Sequence, residues 1–206
     1  EMMLLAETGG KNATIVTAMS DREQSVAHIL ASAFGHAGQK CSATSLLILE
    51  DEVYEDEAFR KTLVDAAASL SVGSAWALDT KLGPMIDQPW GDLDRALKEL
   101  EPGESWALMP TQIDENPCLY SPAIKWGVTP GSYTHQTEFF GPVLAVMRCR
   151  DLHEGIHYVN ETGYGLTSGL QSLDEREQSD WRDAIRAGNL YINRGTTGAI
   201  VLRQPF

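Results

Sequence analysis

The sequence predicts an α/β fold: an open, mostly parallel sheet with helices on both faces. Three observations carry that prediction. Short apolar or β-branched runs at 13–17, 46–49 and 143–147 suit strands buried on both sides. Segments with apolar residues at helical spacing lie between such runs. No internal repeat or low-complexity linker interrupts the 206 residues, so the chain reads as one domain over 1–206.

The elements follow in order. After Gly9-Gly10 comes the strand at 13–17, and Ser20 with Glu23 three residues on reads as a capping box. Val26, Ile29, Leu30, Ala33 and Phe34 mark the buried face of the helix that follows. Gly35 and Gly38 end it and open a loop carrying Gln39, Lys40, Cys41 and Ser42, before the strand at 46–49. A helix over 57–70 turns Phe59, Leu63, Val64, Ala67 and Leu70 to one side. The stretch 72–88 is punctuated by Gly73, Gly83 and Pro84 and reads as loop. Leu93, Ala96, Leu97 and Leu100 predict a short helix that stops at Pro102-Gly103. Strands are expected at 105–109, 123–128 and 143–147, then helices at 153–160 and 175–187 alternating with strands at 168–171 and 189–193. The acidic run at 174–177 suits a solvated helix start.

Composition narrows the class. With 43% apolar and 22% charged residues the chain resembles an ordinary soluble globular domain. A formal net charge of −13 repels phosphates, which argues against nucleic acid and anionic membrane surfaces as partners. No run approaches the roughly 18 apolar residues that span a bilayer. The first twelve residues have neither a basic start nor a long apolar core, so they do not read as a signal peptide. Cys41, Cys118 and Cys149 are odd in number and far apart, which argues for a reducing compartment; a cytoplasmic location is expected. No CxxC pair or HExxH occurs, so no metal site is expected.

Two local features carry chemistry. Cys41 sits in a Gly-flanked polar loop between a predicted helix and a predicted strand, and loops at strand ends in open α/β sheets are where ligands bind. Lys40 and neighbouring backbone N–H groups there suit an oxyanion; the alternative is a buried, inert thiol. Glu7 precedes the double glycine Gly9-Gly10, whose freedom allows close approach of backbone to a ligand. It is either a general base or a surface glutamate beside a turn.

Three longer motifs decide between these alternatives. Glu7-Thr8-Gly9-Gly10-Lys11-Asn12, then Gly38-Gln39-Lys40-Cys41-Ser42-Ala43, then Glu138-Phe139-Phe140-Gly141-Pro142-Val143 stand in the order seen in aldehyde dehydrogenases. Leu82-Gly83-Pro84-Met85-Ile86-Asp87, the stretch from Asn160 to Leu166, and Gly188-Asn189-Leu190-Tyr191-Ile192-Asn193 support the register. The chain thus resembles the catalytic domain of that superfamily.

The resemblance implies NAD-dependent oxidation of an aldehyde to an acid. Cys41 would be the nucleophile and Glu7 the base for the deacylating water. Glu138 would contact the nicotinamide-side ribose, and Phe140 would sit near the nicotinamide; the alternative for Phe139-Phe140 is core packing, which one of the two does. Thr196-Thr197-Gly198-Ala199 and Ser42 resemble the glutamate γ-semialdehyde dehydrogenases, including the dehydrogenase part of bifunctional proline-utilisation proteins. On that likeness Ser42, Gly198 and Ala199 would hold the substrate carboxylate and Phe206 would line the aldehyde channel. The resemblance further implies a parent that is a homo-oligomer, a chain cut at both ends, and a cofactor-binding domain lying outside it. Two other readings remain: a cysteine hydrolase or acyltransferase using His28 or His36 as base, and a non-catalytic domain that keeps the fold.

Overall fold

The computed structural model describes residues 9–198. Glu7, Ala199 and Phe206, three of the expected site residues, lie outside that range. Seven strands form one sheet in the order β3-β4-β5-β2-β1-β6-β7. They are β1 (Asn12–Val16), β2 (Thr44–Glu50), β3 (Ser105–Leu108), β4 (Ala123–Val128), β5 (Val143–Cys149), β6 (Thr167–Gln171) and β7 (Asn189–Ile192). Every pairing is parallel except β3 with β4, so the predicted fold class is the observed one.

The central strands read as unbroken apolar runs because both of their faces are covered. In β2, Leu47 and Leu49 join one core with Val16, Ile124, Leu144 and Val146, while Leu46 and Ile48 join another with Ala13, Ile15, Ala145 and Met147. Helices α1 (Arg22–Phe34), α3 (Glu57–Ala68) and α4 (Gly91–Lys98) close the first core through Ile29, Phe34, Phe59, Leu63 and Ala96. Helices α6 (Leu152–Glu161) and α7 (Glu175–Ala184) close the second through Leu152, Ile156 and Trp181. Period-two side-chain alternation in the strands is what splits their apolar residues between the two cores.

Local signals set most boundaries. The capping box expected at Ser20 is replaced by an Asp21 cap whose carboxylate accepts from Gln24 N–H, while Ser20 Oγ donates back to the Thr17 carbonyl. Asp56, Asp151 and Asp174 cap α3, α6 and α7 in the same way. Helix α7 stops at Ala184, short of the expected 187, because Asn160 of α6 takes both ends of the break: its Nδ2 donates to Ala184 O and its Oδ1 accepts from Arg186 N. Two four-residue helices, α2 (Asp51–Tyr54) and α5 (Tyr133–Gln136), are too short to show an apolar period.

Candidate active site

The chemistry-bearing residues gather where the chain enters the sheet. Cys41 lies on the loop leading into β2, Glu138 and Phe140 on the turn leading into β5, and Gly10 just before β1. All three strands are parallel neighbours, so these positions share the amino-terminal edge of the sheet. Open α/β sheets more often bind ligands at the carboxyl edge; here the opposite edge is built for it.

The Cys41 loop is held from below by Asn12, a buried side chain that the sequence motif contained without a role for it. Its Nδ2 donates to Cys41 O at 2.6 Å and Ala43 O at 3.0 Å, and its Oδ1 accepts from Thr167 N and Thr167 Oγ1 at 3.1 and 2.7 Å. All four bonding positions of the amide are therefore used. The β1–β2 register shifts between Asn12 and Ala13, which aims this side chain along the edge rather than across the ladder. A second buried chain runs Thr14 Oγ1–Thr44 Oγ1–Thr196 Oγ1 at 3.1 and 2.9 Å, and Thr196 Oγ1 lies 2.9 Å from Ser42 O. Thus Ser42 is buried and its backbone is tied to the segment that leads to exposed Gly198.

From above, the loop is pressed against the Glu138 turn. His36, Ala37 and Gly38 form three successive left-handed residues, with φ of 56°, 55° and 68°. A Cβ at Gly38 would lie 2.2 Å from Gly141 O, so only glycine permits this approach. Gln39 staples three segments: its Nε2 donates to Phe140 O at 3.1 Å and its Oε1 accepts from Ile86 N at 2.9 Å. Phe140 is itself left-handed, φ 53°. Left-handed non-glycine residues cost of order 1–3 kcal/mol each and persist only where surroundings over-determine them. The result is an exposed Cys41 thiol on a turn that has little freedom to move.

Beside the thiol loop lies a cavity of about 320 Å³ lined by Gln39, Trp90, Leu93, Glu138, Phe139 and Phe140, among others. Glu138 Oε1 accepts from Gly10 N at 3.0 Å, and Gly9 leaves room for Oε2, which a Cβ there would approach to 2.6 Å. Phe140 is half-exposed at the cavity, whereas Phe139 is 4% exposed and belongs to the core. The Cys41 N–H makes no hydrogen bond among the described residues, so it is available to a ligand oxygen.

Of the two histidines expected for a hydrolase, His28 is engaged away from this site, whereas His36 sits on the Cys41 loop and lines the surface beside Gln39 and Phe140. His28 Nδ1 lies 3.1 Å from Gln171 Oε1, at the far end of β6, where Gln171 pairs with Val16. Gln171 sits four residues along β6 from Thr167 at the Cys41 edge, about 13 Å at 3.3 Å per residue. His36 faces solvent with no side-chain hydrogen bond among the described residues.

Fold and site together define an α/β domain that presents an exposed thiol on a loop whose Gln39 lines a carboxylate-and-aromatic cavity. The chain belongs to the aldehyde dehydrogenase family, matching it over residues 2–206. It is 37% identical to a 1-pyrroline-5-carboxylate dehydrogenase of Geobacillus thermodenitrificans and 36% identical to one of Bacillus subtilis, in each case over 98% of this chain and 39% of the relative. Among solved structures, proline utilization A from Corynebacterium freiburgense superposes with a TM-score of 0.93 at 48% identity, covering 97% of this chain and 20% of that one. The 1-pyrroline-5-carboxylate dehydrogenase from Thermus with bound NAD superposes with a TM-score of 0.87 at 36% identity, covering 97% and 38%. The chain therefore spans about two fifths of the curated relatives it matches.

Proposed function

We propose that this chain is the catalytic, cysteine-bearing domain of an NAD-dependent dehydrogenase that oxidises glutamate γ-semialdehyde to glutamate. The observation that carries the reading is the exposed Cys41 thiol, clamped through Asn12 and Gln39 next to the Glu138–Phe140 cavity. The relatives, 1-pyrroline-5-carboxylate dehydrogenases, point to the substrate class. The hydrolase alternative loses support because His28 is engaged with Gln171 and exposed His36 has no hydrogen-bonded partner to orient its ring among the described residues.

The cavity fits one end of a dinucleotide. Exposed Phe140 and Trp90 offer faces to a flat heterocycle, and the Glu138 carboxylate can accept from a ribose hydroxyl. NAD, when bound, would accept the hydride lost by the substrate carbon. The Cys41 sulfur, its proton lost to solvent, would bond the aldehyde carbon, and the resulting thiohemiacetal oxyanion would accept from the Cys41 N–H. With NAD bound as hydride acceptor, Cys41 would be left holding the acyl group as a thioester. Glu7 takes a proton from the water that attacks the thioester carbon; the C–S bond breaks and the acid departs. Ser42, Gly198 and Ala199 would hold the α-carboxylate, with backbone N–H groups as donors, and Phe206 would line the aldehyde channel. The location expected is the cytoplasm, with the parent assembled as a homo-oligomer.

The test uses the parent-length protein and follows NADH formation at neutral pH. Glutamate γ-semialdehyde should be oxidised much faster than a carboxylate-free aldehyde of similar length, and Cys41→Ala should lower the rate at least roughly 1,000-fold. Equal rates on the two aldehydes would remove the carboxylate-binding role of Ser42, Gly198 and Ala199. NADH formation that survives Cys41→Ala would remove the mechanism.

A further inference from the structure

The wall of the cavity hides a charge that the proposed chemistry does not use. Lys11 stands between Gly10, whose N–H donates to Glu138, and Asn12, whose amide holds the Cys41 carbonyl. Its side chain is 1% exposed, and Nζ has no hydrogen-bond partner among the described residues. Nζ lies 4.4 Å from the ring centroid of Phe139, the residue next to Glu138. A buried ammonium without a hydrogen-bond partner is costly, and a methionine of similar length would avoid that cost. The placement therefore calls for a use of the charge.

Four titratable groups surround it. Glu138 exerts the strongest attraction on Lys11, with Glu104 adding a weaker one and Lys125 opposing both. Glu104 is already engaged: its Oε2 lies 3.3 Å from Lys125 Nζ, with both side chains buried, and Lys125 Nζ sits 5.9 Å from the same Phe139 ring. His135 of α5 also feels the Lys11 charge, which disfavours its protonation. Burial lowers the Lys11 pKa to about 7, so its charge changes in the physiological range.

We propose that Lys11 is a positioning residue for Glu138: its buried ammonium holds the carboxylate in place at the cavity wall, and loss of the proton releases it. The inference rests on the reading of Glu138 as a cofactor contact. It goes beyond that reading by making cofactor affinity depend on a residue that touches neither cofactor nor substrate.

The experiment measures NADH affinity by fluorescence, and melting temperature, from pH 6 to 10.5 in the parent-length protein, for wild type, K11M, E138Q and K11M/E138Q. Wild-type affinity should fall as pH rises through about 7. In K11M it should be flat and, at pH 6, weaker by roughly tenfold, the factor carried by one pH unit of coupling. The melting temperature of K11M should nonetheless equal or exceed that of wild type, whereas a merely structural lysine would lower it. Folded Lys11 releases its proton near 7 and the unfolded residue near 10.5, so raising pH across that window stabilises the wild type and not K11M. K11R, charged at every pH tested, should bind NADH without the pH step. Wild-type affinity and pH profile in K11M would overturn the proposal, as would an equal K11M effect in the E138Q background. If E138Q leaves NADH affinity intact, the cofactor role of Glu138 fails instead. The melting data then decide the pairing: a Lys11-dependent melting step that moves to lower pH in E138Q supports it, because Glu138 raises the Lys11 pKa, and a step unmoved by E138Q overturns it.

Discussion

The two edges of the sheet are made from the same strands and behave differently. At the carboxyl edge the polar groups are closed on one another. Glu177 of α7 accepts from Thr17 Oγ1 at 2.7 Å and Ser172 Oγ at 2.5 Å, Glu50 accepts from Ala18 N at 2.6 Å, and Arg22 donates to the Thr17 carbonyl at 2.9 Å. Arg148 bridges Asp51 and Glu55, and its hydrogen bond holds the Asp51 carboxyl below the usual carboxylate range. At the amino edge the described residues include an exposed thiol, an unpartnered buried ammonium and four left-handed non-glycine or crowded positions, His36, Ala37, Gly38 and Phe140. Both edges are cross-linked by hydrogen bonds, but only the amino edge combines them with an exposed thiol and a run of left-handed backbone, the pattern expected where strain is stored for function.

That contrast can be broken by substitution. The largest effect should come from Asn12→Ala at the amino edge. It removes four hydrogen bonds to buried or part-buried partners, at a cost of roughly 2–4 kcal/mol. Turnover per folded molecule should fall as well, because Cys41 loses its tether. Full activity in folded Asn12→Ala would show that the tether is structural only. At the carboxyl edge, Glu177→Ala should cost about 1–2 kcal/mol in denaturant melts while leaving turnover per folded molecule unchanged. A comparable loss of turnover there would erase the distinction between the edges.

A smaller effect should follow from pH. His135 is buried at the start of the Glu138 turn; its Nδ1 accepts from Gly131 N at 3.0 Å, so its Nε2 carries the proton and faces Tyr158 O at 2.9 Å. Burial lowers its pKa below 6.5, so the folded state prefers the neutral ring. The unfolded state then takes up its proton first as pH falls. Stability present above about 6.5 is therefore lost progressively on acidification towards the lower folded pKa. Melting temperature should drop between pH 7 and 5 in wild type and less steeply in His135→Gln; identical slopes would remove the assignment. Smallest of all, Lys61→Ala, which breaks an exposed pair with Asp65 one helical turn on, should change stability by less than about 0.5 kcal/mol and turnover not at all.

The comparison also shows which parts of the molecule a local reading can reach. Strands β2 and β5 are legible as continuous apolar runs, and α3 through Phe59, Leu63 and Ala67, because each signal lies within one helix or one strand. The capping box expected at Ser20 does not form, for a local reason: Asp21, one residue later, is an equally good cap and takes the bond to Gln24 N. Cys41 was legible as a polar, Gly-flanked thiol, and Glu138 and Phe140 through their motif. The tether from Asn12 was not, since it joins residues 29 and 155 positions away through a register shift that no periodicity announces. Lys11 was equally silent, for a lysine beside two glycines reads as a surface residue until the tertiary structure buries it against Phe139.

By itself, then, the sequence determined the element types, the double-sided core and the thiol, because these follow from side-chain period and backbone preference along a few residues. The tertiary structure alone decided which edge of the sheet is open. That choice depends on Glu138 meeting Gly10 across 128 residues and on Gly38 lying against Gly141, contacts whose energy exists only after the sheet has formed.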